Sequence, residues 1–462
     1  MFKRVLVANR GEIACRILRT LERLGIESVA VFSDADLAAP HVGLADQAFR
    51  LGPAPLAQSY LNADLVLQAA LEAGADAVHP GYGLLSESAA FADRVRQAGL
   101  TFIGPPSSAL LAFGDKIRAR AVARSVGASP PPGSDGPVNP DDIEVLSAEA
   151  ERIGYPLLIK AAGGGGGIGM QIVREAGELG RAARSCADRG KAAFADERIY
   201  LERYLDEPRH IEVQVLCDDH GHAVALGERE CSVQRRHQKI IEESPSPAAF
   251  FQGKDGAARR LSLHQSALQI VKAADYRGAG TVEFVASATG QLFFLEVNAR
   301  LQVEHPVTEC VTGLDLVEQQ LLIAAGQALS PAVRTVEVVG HAVEARLYAE
   351  DPARGFLPQP GRVAELRWPV GQGIRVDSGV VEGTEVTSHY DPMLAKIIAV
   401  GSDRPEAIRR LQTALAETSL RLVGPKKERT TNLAFLRRLL ATPEFVAGRY
   451  DTSLAERLAQ SE

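Results

Sequence analysis

The sequence predicts a mixed α/β and α+β chain, with a parallel-sheet unit first and antiparallel units after it. Three observations predict this. Up to about residue 113, short apolar runs alternate with segments of helical spacing, the pattern of a parallel sheet with crossover helices. From His210 onward, strict alternation of polar and apolar residues takes over, as antiparallel strands require. Between the two, "GASPPPGSDGPVNPDD" (Gly127 to Asp142) is rich in Pro, Gly and Asp and marks a boundary or surface loop.

Taken in order, "RVLVAN" reads as the first strand. The helix after it has Ile13, Ile17, Leu18, Leu21 and Leu24 on one side and is closed by Gly25. "ESVAVFS" is the next strand, "ADLVLQAALEAG" a helix, and "ADAVHPG" and "TFIGP" two further strands. No GxGxxG follows the first strand, which disfavours a dinucleotide site. After the boundary come a strand ("YPLLIK"), a run of glycines, a second strand ("MQIV") and the helical "AGELGRAARSCADRGKAAF". In "HIEVQVL", His210, Glu212 and Gln214 alternate with Ile211, Val213 and Val215. "GHAVALGERE", "GTVEFVA" and "QLFFLEVNARLQVE" continue the antiparallel pattern, and the last part mixes strands with the helix "RPEAIRRLQTALAET".

A chain of 462 residues exceeds one ordinary core, so two or three domains are expected. The hydrophobic content of 46% and charged content of 24% are those of a soluble globular protein. No apolar run is long enough to span a bilayer, and "MFKRVLVANRGE" reaches charge too soon for a signal peptide, so the expectation is a cytosolic protein. A net charge of −7 argues against a non-specific nucleic-acid binder. The five cysteines are scattered without CxxC or a Cys/His cluster, which argues against structural zinc and a disulfide framework.

The densest chemical signal is "FLEVNARLQVEHP". A strand's period of two would put Glu296, Asn298, Arg300, Gln302 and Glu304 on one face and the apolar residues between them on the other. Carboxylates, an amide and a guanidinium together can hold a metal and a small anion. A hairpin through "ASATG" would add Glu283, and paired hard-oxygen ligands suit Mg²⁺ or Mn²⁺. Either glutamate alone would read as a surface charge. Arg235, Arg236, His237 and Lys239 form a cationic run that reads either as a solvated loop or as an anion contact. Lys116 and Lys160 are further phosphate-contact candidates. The run "KAAGGGGGIGM" is not a P-loop, because GxxxxGK[ST] is absent. Flanked closely by strands, it reads as a flap whose backbone N–H groups can nest a phosphate chain, with glycine allowing the close approach.

These residues together resemble the biotin carboxylase family of ATP-grasp proteins. The resemblance runs through "VLVANRGEIACRILR", "HPGYGLLSE", "GDK", "IKAAGGGGGIGM", "RHIEVQVL", "ERECSVQRRHQKIIEESP", "EVNARLQVEHPVTE", "GHAVEARLYAEDP" and "YDPMLAKII", and covers nearly the whole chain. It implies a Rossmann-like preATP-grasp domain over residues 1–113 with a linker at 114–131. It further implies an ATP-grasp lid at 132–204, an ATP-grasp core at 205–335 and a biotin carboxylase C-terminal region at 336–462.

The implied activity is ATP-dependent carboxylation of biotin with bicarbonate, by way of carboxyphosphate. The implied cofactors are ATP and two Mg²⁺ or Mn²⁺ ions, with biotin as a carrier-bound substrate. The implied partners are a biotin carboxyl carrier protein or domain and a carboxyltransferase subunit. A homodimer is also implied, since Arg16 and Arg19 match positions used in family dimers.

Residue by residue, the resemblance makes Lys116, Lys160, Gly165, Gly166, His210, Gln234 and His237 nucleotide or phosphate contacts, with Glu202 and Leu205 at the adenine end. Glu283, Glu296 and Asn298 would hold metal. Lys239, Arg300, Gln302 and Val303 would surround bicarbonate, with Glu304 as general base and Arg346 stabilising the biotin enolate. The chain departs from the family pattern at Ile168 and Gln171, where a basic residue is common. It departs again at Arg203, which replaces a lysine, in a slightly longer "SATG" turn, and in the basic "LVGPKKERTTNLAFL". Two other readings are an ATP-grasp ligase with a different acceptor and a nucleotide-binding subunit without catalysis. Retention of Lys239, Arg300, Glu304 and Arg346 weighs against the second.

Overall fold

The structure is a computed structural model that describes residues 1–163 and 169–461. Five parallel strands form the first sheet: β1 (Arg4–Val7), β2 (Glu27–Ser33), β3 (Gln47–Gly52), β4 (Ala77–His79) and β5 (Thr101–Phe102), in the order β3-β2-β1-β4-β5. Four of these were legible as apolar runs. The fifth, β3, lies at the sheet edge, and its first four residues, "QAFR", are only half-buried or exposed, so it lacked an apolar signature. The helix Gly11–Leu24 buries Ile13, Ile17, Leu18 and Leu21, and Gly25 ends it in the left-handed region at φ 67°. The stretch expected to be a linker contains a helix, Lys116–Ser125, capped by Asp115, whose side chain accepts from the N–H groups of Ile117 and Arg118.

The glycine run joins two antiparallel strands, as expected. β6 (Leu157–Ala161) pairs with β7 (Met170–Val173) and with β8 (Ile199–Arg203). The helices Ile143–Ile153 and Leu179–Phe194 pack on this sheet. Among the described residues, their apolar core draws on residues between Val138 and Leu201. Gly165, Gly166 and Ile168 lie outside the described residues.

The largest sheet has eight antiparallel strands. Its first six are β9 (Arg209–Cys217), β10 (Ala223–Arg235), β11 (Gln238–Ser244), β12 (Gly278–Ala286), β13 (Leu292–Asn298) and β14 (His341–Tyr348), followed by the strands Ile374–Ser378 and Met393–Gly401. The order is β13-β12-β9-β10-β11-β14, then Met393–Gly401, then Ile374–Ser378. The sheet therefore continues across residue 335 without a break, because β11 pairs with β14. This continuity places Arg346 beside Glu242 of β11. The β10–β11 turn is Arg236–His237, both at positive φ (47° and 65°), with Arg235 paired to Gln238. That is a two-residue hairpin turn whose twist suits the flanking strands. The basic run is accordingly a tight turn, with Arg235 buried against Glu350 and only Arg236 and His237 exposed.

A buried charge network fastens β11 to the C-terminal elements. Glu243 accepts from Arg404 (Nε 2.6 Å, Nη2 2.9 Å) and from the Tyr450 hydroxyl, and lies 2.6 Å from His341 Nε2. Burial disfavours its charge, but His341 and Arg404 outweigh burial and hold the carboxyl down at about 2. An unfolded glutamate titrates near about 4.3. A depressed folded value means that this network stabilises fully above about 4.3 and is lost as pH falls from there toward about 2. The stability difference between wild type and Glu243→Gln, read as urea midpoints, should therefore be large at neutral pH and shrink steadily below about pH 4.3. A difference independent of pH would contradict this.

Candidate active site

Strand pairing builds the site. Glu283 in β12 lies opposite Glu212 in β9 and Glu296 in β13, so three carboxylates share one face. The β12–β13 register shifts between Glu283 and Phe284, leaving Leu295 as the extra residue. This bulge turns Phe294 toward Phe284 in the core while Glu296 stays with Glu283. The expectation of one strand from Phe294 to Glu304 is corrected here. β13 ends at Asn298, and Arg300, Gln302, Val303 and Glu304 sit on the turn leading into the helix His305–Thr312. Leaving the strand lets their side chains point to several partners instead of one row.

Lys239, on β11, is the hub. Its ammonium lies 2.6 Å from Glu212, 2.8 Å from Glu283 and 2.6 Å from Glu304. Burial alone would lower its pKa, but Glu212, Glu283 and Glu304 together raise it well above the usual lysine value. Glu304 also accepts from Arg346 Nη2 at 2.9 Å, and the same nitrogen contacts Glu242. Burial opposes its charge, yet Lys239 and Arg346 hold the Glu304 carboxyl well below the carboxylate range. Arg300 donates to Glu87 (3.1 Å) and Asn298 (2.8 Å). Gln302 donates to Glu283 at 2.7 Å, and the Val303 carbonyl accepts from Lys396 at 2.8 Å.

The nucleotide-contact candidates fall into two groups. His210 Nε2 lies 2.8 Å from Glu283, and Gln234 is bonded to His210 Nδ1 at 2.8 Å. Lys116 is 2.9 Å from Glu296. Lys160 is buried and lies 2.5 Å from Glu202, which also meets Arg120, so its ammonium is held against β8. Leu205 is half-buried in the loop after β8, and His237 is exposed on the β10–β11 turn, within electrostatic reach of Lys160 and His210.

Hard-oxygen donors fit a divalent cation at the β12–β13 pair. Glu283 and Glu296 are register partners, and the Asn298 amide bonds Glu283 at 2.8 Å. Donor atoms of His210, Glu212 and Glu283 also lie within 4.8 Å of one another, so Glu212 is a further candidate ligand. Such an ion would neutralise phosphate charge and, by polarising a phosphoryl oxygen, make the phosphorus more open to attack.

Two residues here escaped sequence reasoning. The alternation of "HIEVQVL" marks the face on which Glu212 lies but not its role. Arg229, fully buried, was unmarked. It binds Glu212 through Nε, and donates to Gln214 (2.7 Å), Thr308 (3.0 Å), Thr281 (3.0 Å) and Gln302 (2.6 Å). Its one available signal was a charged residue within the strand "GERE".

Three family descriptions tile the chain. "Biotin carboxylase, N-terminal domain" matches residues 1–110, "Carbamoyl-phosphate synthase L chain, ATP binding domain" matches 115–332, and "Biotin carboxylase C-terminal domain" matches 344–457. The biotin carboxylase of Halalkalibacterium halodurans is 47% identical over 98% of this chain and 97% of its own length. The chain belongs to the biotin carboxylase family. Its mixed α/β fold is that of the family, with an ATP-grasp domain between the N- and C-terminal ones. The biotin carboxylase domain dimer of the Hydrogenobacter thermophilus 2-oxoglutarate carboxylase, solved with MgADP, ADP and bicarbonate, superposes with a TM-score of 0.93. It is 40% identical, covering 99% of this chain and 98% of that one. The propionyl-CoA carboxylase alpha chain of Ruegeria pomeroyi is 44% identical over 98% of this chain and 67% of its own length. Among the described residues, no helix is long and apolar enough to cross a membrane.

Proposed function

We propose that this protein carboxylates biotin, using ATP to activate bicarbonate, and that Glu304, Lys239, Arg300 and Arg346 carry the reaction. The observation that supports it most is the placement of Glu304 between two cations, Lys239 and Arg346, on the face that also carries Glu283 and Glu296. Bicarbonate is a poor nucleophile. Its oxygens, bonded by Lys239 and Arg300, draw Lys239 away from Glu304, and the carboxylate becomes a stronger base where the proton must be removed. Attack of a bicarbonate oxygen on the γ-phosphorus breaks the bond to the β-phosphate, giving carboxyphosphate and ADP, with Lys116, Lys160, His210 and Gln234 steadying the phosphates beside Glu283, Glu296 and Asn298. Carboxyphosphate hydrolyses readily, which is the physical reason for a lid over residues 132–204. Its breakdown to CO2 leaves phosphate to deprotonate the ureido nitrogen, Arg346 stabilises the enolate by charge-assisted hydrogen bonding, and the nitrogen then attacks CO2 to give carboxybiotin.

The division at 1–113, 132–204, 205–335 and 336–462 accompanies this reading, with Gly165, Gly166, Glu202, Leu205 and His237 closing on nucleotide. Biotin arrives on a carrier protein or domain and leaves to a carboxyltransferase, the setting in which the propionyl-CoA carboxylase alpha chain is named. A homodimer in the cytosol completes the proposal, and the dimeric relative supports the association. Arg16 is already committed to Glu309 and Asp315 at 2.7 Å each, whereas Arg19 is 46% exposed with a longer contact to Asp377 at 3.6 Å, which makes it the better dimer contact. The test is ATP hydrolysis with bicarbonate, with and without free biotin. Turnover should require bicarbonate and rise with biotin; turnover indifferent to both would sink the proposal.

A further inference from the structure

Behind Arg346 lies a second pair of carboxylates. Glu242 on β11 and Glu344 on β14 are direct register partners, and both are fully buried. Opposite partners on antiparallel strands bring their side chains within contact reach. Neither Glu344 oxygen has a hydrogen-bond donor, and Glu242 has only its ion pair with Arg346 Nη2. The charged groups facing Glu344 are Lys396, Glu242, Arg346 and Glu304; those facing Glu242 are Arg346, Glu304 and Lys239. Lys396 is already engaged by the Val303 carbonyl at 2.8 Å and by Glu12 at 3.2 Å. Lys239 is held by its three carboxylates. Two ionised carboxylates facing each other here, one without any donor, would be strongly disfavoured.

We propose that Glu242 and Glu344 share one proton and act as a positioning pair for Arg346. The inference rests on the reading of Arg346 as the group that meets the biotin enolate. Neither glutamate touches substrate. With the proton in place, the pair presents Arg346 with one negative charge, and the guanidinium stays balanced between Glu242 on one side and Glu304 with the substrate oxyanion on the other. Loss of the proton to bulk base doubles the charge behind Arg346 and draws it toward β11. Burial is the first cause pushing both carboxyls up, and the neighbouring carboxylates, Glu304 among them, add to it.

The test uses the full-length chain and the variants Glu344→Gln and Glu242→Gln. Difference infrared spectroscopy on the ligand-free protein should show the carbonyl stretch of a buried protonated carboxylic acid. That band should be missing in Glu344→Gln, where Glu242 is left ionised beside Arg346. In biotin-dependent turnover, wild-type kcat/KM for biotin should fall on an alkaline limb. In either variant that limb should move up by about one pH unit or more, a tenfold change in proton concentration, with KM for ATP unchanged. Should Glu344→Gln not fold, Glu242→Gln carries the kinetic test. Absence of the band in wild type, or a limb that stays in place in a folded variant, overturns the proposal. A wild type indifferent to biotin would instead overturn the reading of Arg346.

Discussion

Glu304→Gln should lose bicarbonate-dependent ATP turnover by about a hundred- to ten-thousand-fold, the range a positioned general base contributes. The amide keeps the shape and one hydrogen-bond acceptor but cannot take a proton. Lys239 retains Glu212 and Glu283 as partners, and Arg346 retains Glu242, so no buried cation is left without a counter-charge. Nucleotide affinity, measured by calorimetry with MgATP, should change little, because Glu304 has no contact with the Lys116, Lys160 or His210 groups. A variant with wild-type turnover would show that the proton is taken elsewhere. A variant that loses ATP binding as well would assign Glu304 a structural role.

Arg229→Met should destabilise the protein by about 3–5 kcal/mol, the cost of removing one partner from a buried ion pair. The methionine fills most of the volume but leaves Glu212 facing Lys239 alone, and strands Gln214, Thr281, Thr308 and Gln302 without their shared donor. Those residues come from β9, β12, the turn before the helix His305–Thr312 and the helix itself, so the guanidinium ties together the elements that hold Glu283 and Glu304. Urea unfolding reads the loss directly. Pairing the variant with Glu212→Gln should recover part of it, because the uncompensated charge disappears. An Arg229→Met protein as stable as wild type would mean that water or a neighbouring side chain satisfies Glu212.

The fold was legible where burial imposes a period. β9 is the clearest case: "HIEVQVL" alternates because one face packs on the core and the other lines the site. β3 was invisible because an edge strand buries little. The run from Phe294 to Glu304 misled because its alternation persists past Asn298, where the backbone has already left the sheet. Alternation states which residues differ in polarity, and it holds no information on where hydrogen bonding to a neighbour stops. The pairing of β11 with β14 joins segments about a hundred residues apart in the chain, so no local pattern announces that Arg346 and Lys239 share a face. The cations were legible as types and the carboxylates as candidates. Their mutual pairing, with Lys239 taking three glutamates and Arg346 two, follows from the sheet order together with the turn that carries Glu304.

The central claim is that bicarbonate itself attacks ATP, with Glu304 removing its proton. Hydrolysis in oxygen-18 bicarbonate and unlabelled water, with free biotin present, tests this most directly, by mass analysis of the phosphate released. Attack by bicarbonate requires one of its oxygens to pass to each phosphate, so the account predicts singly labelled product in proportion to turnover. Unlabelled phosphate, formed at the same rate, would show that water attacks ATP and would contradict the account.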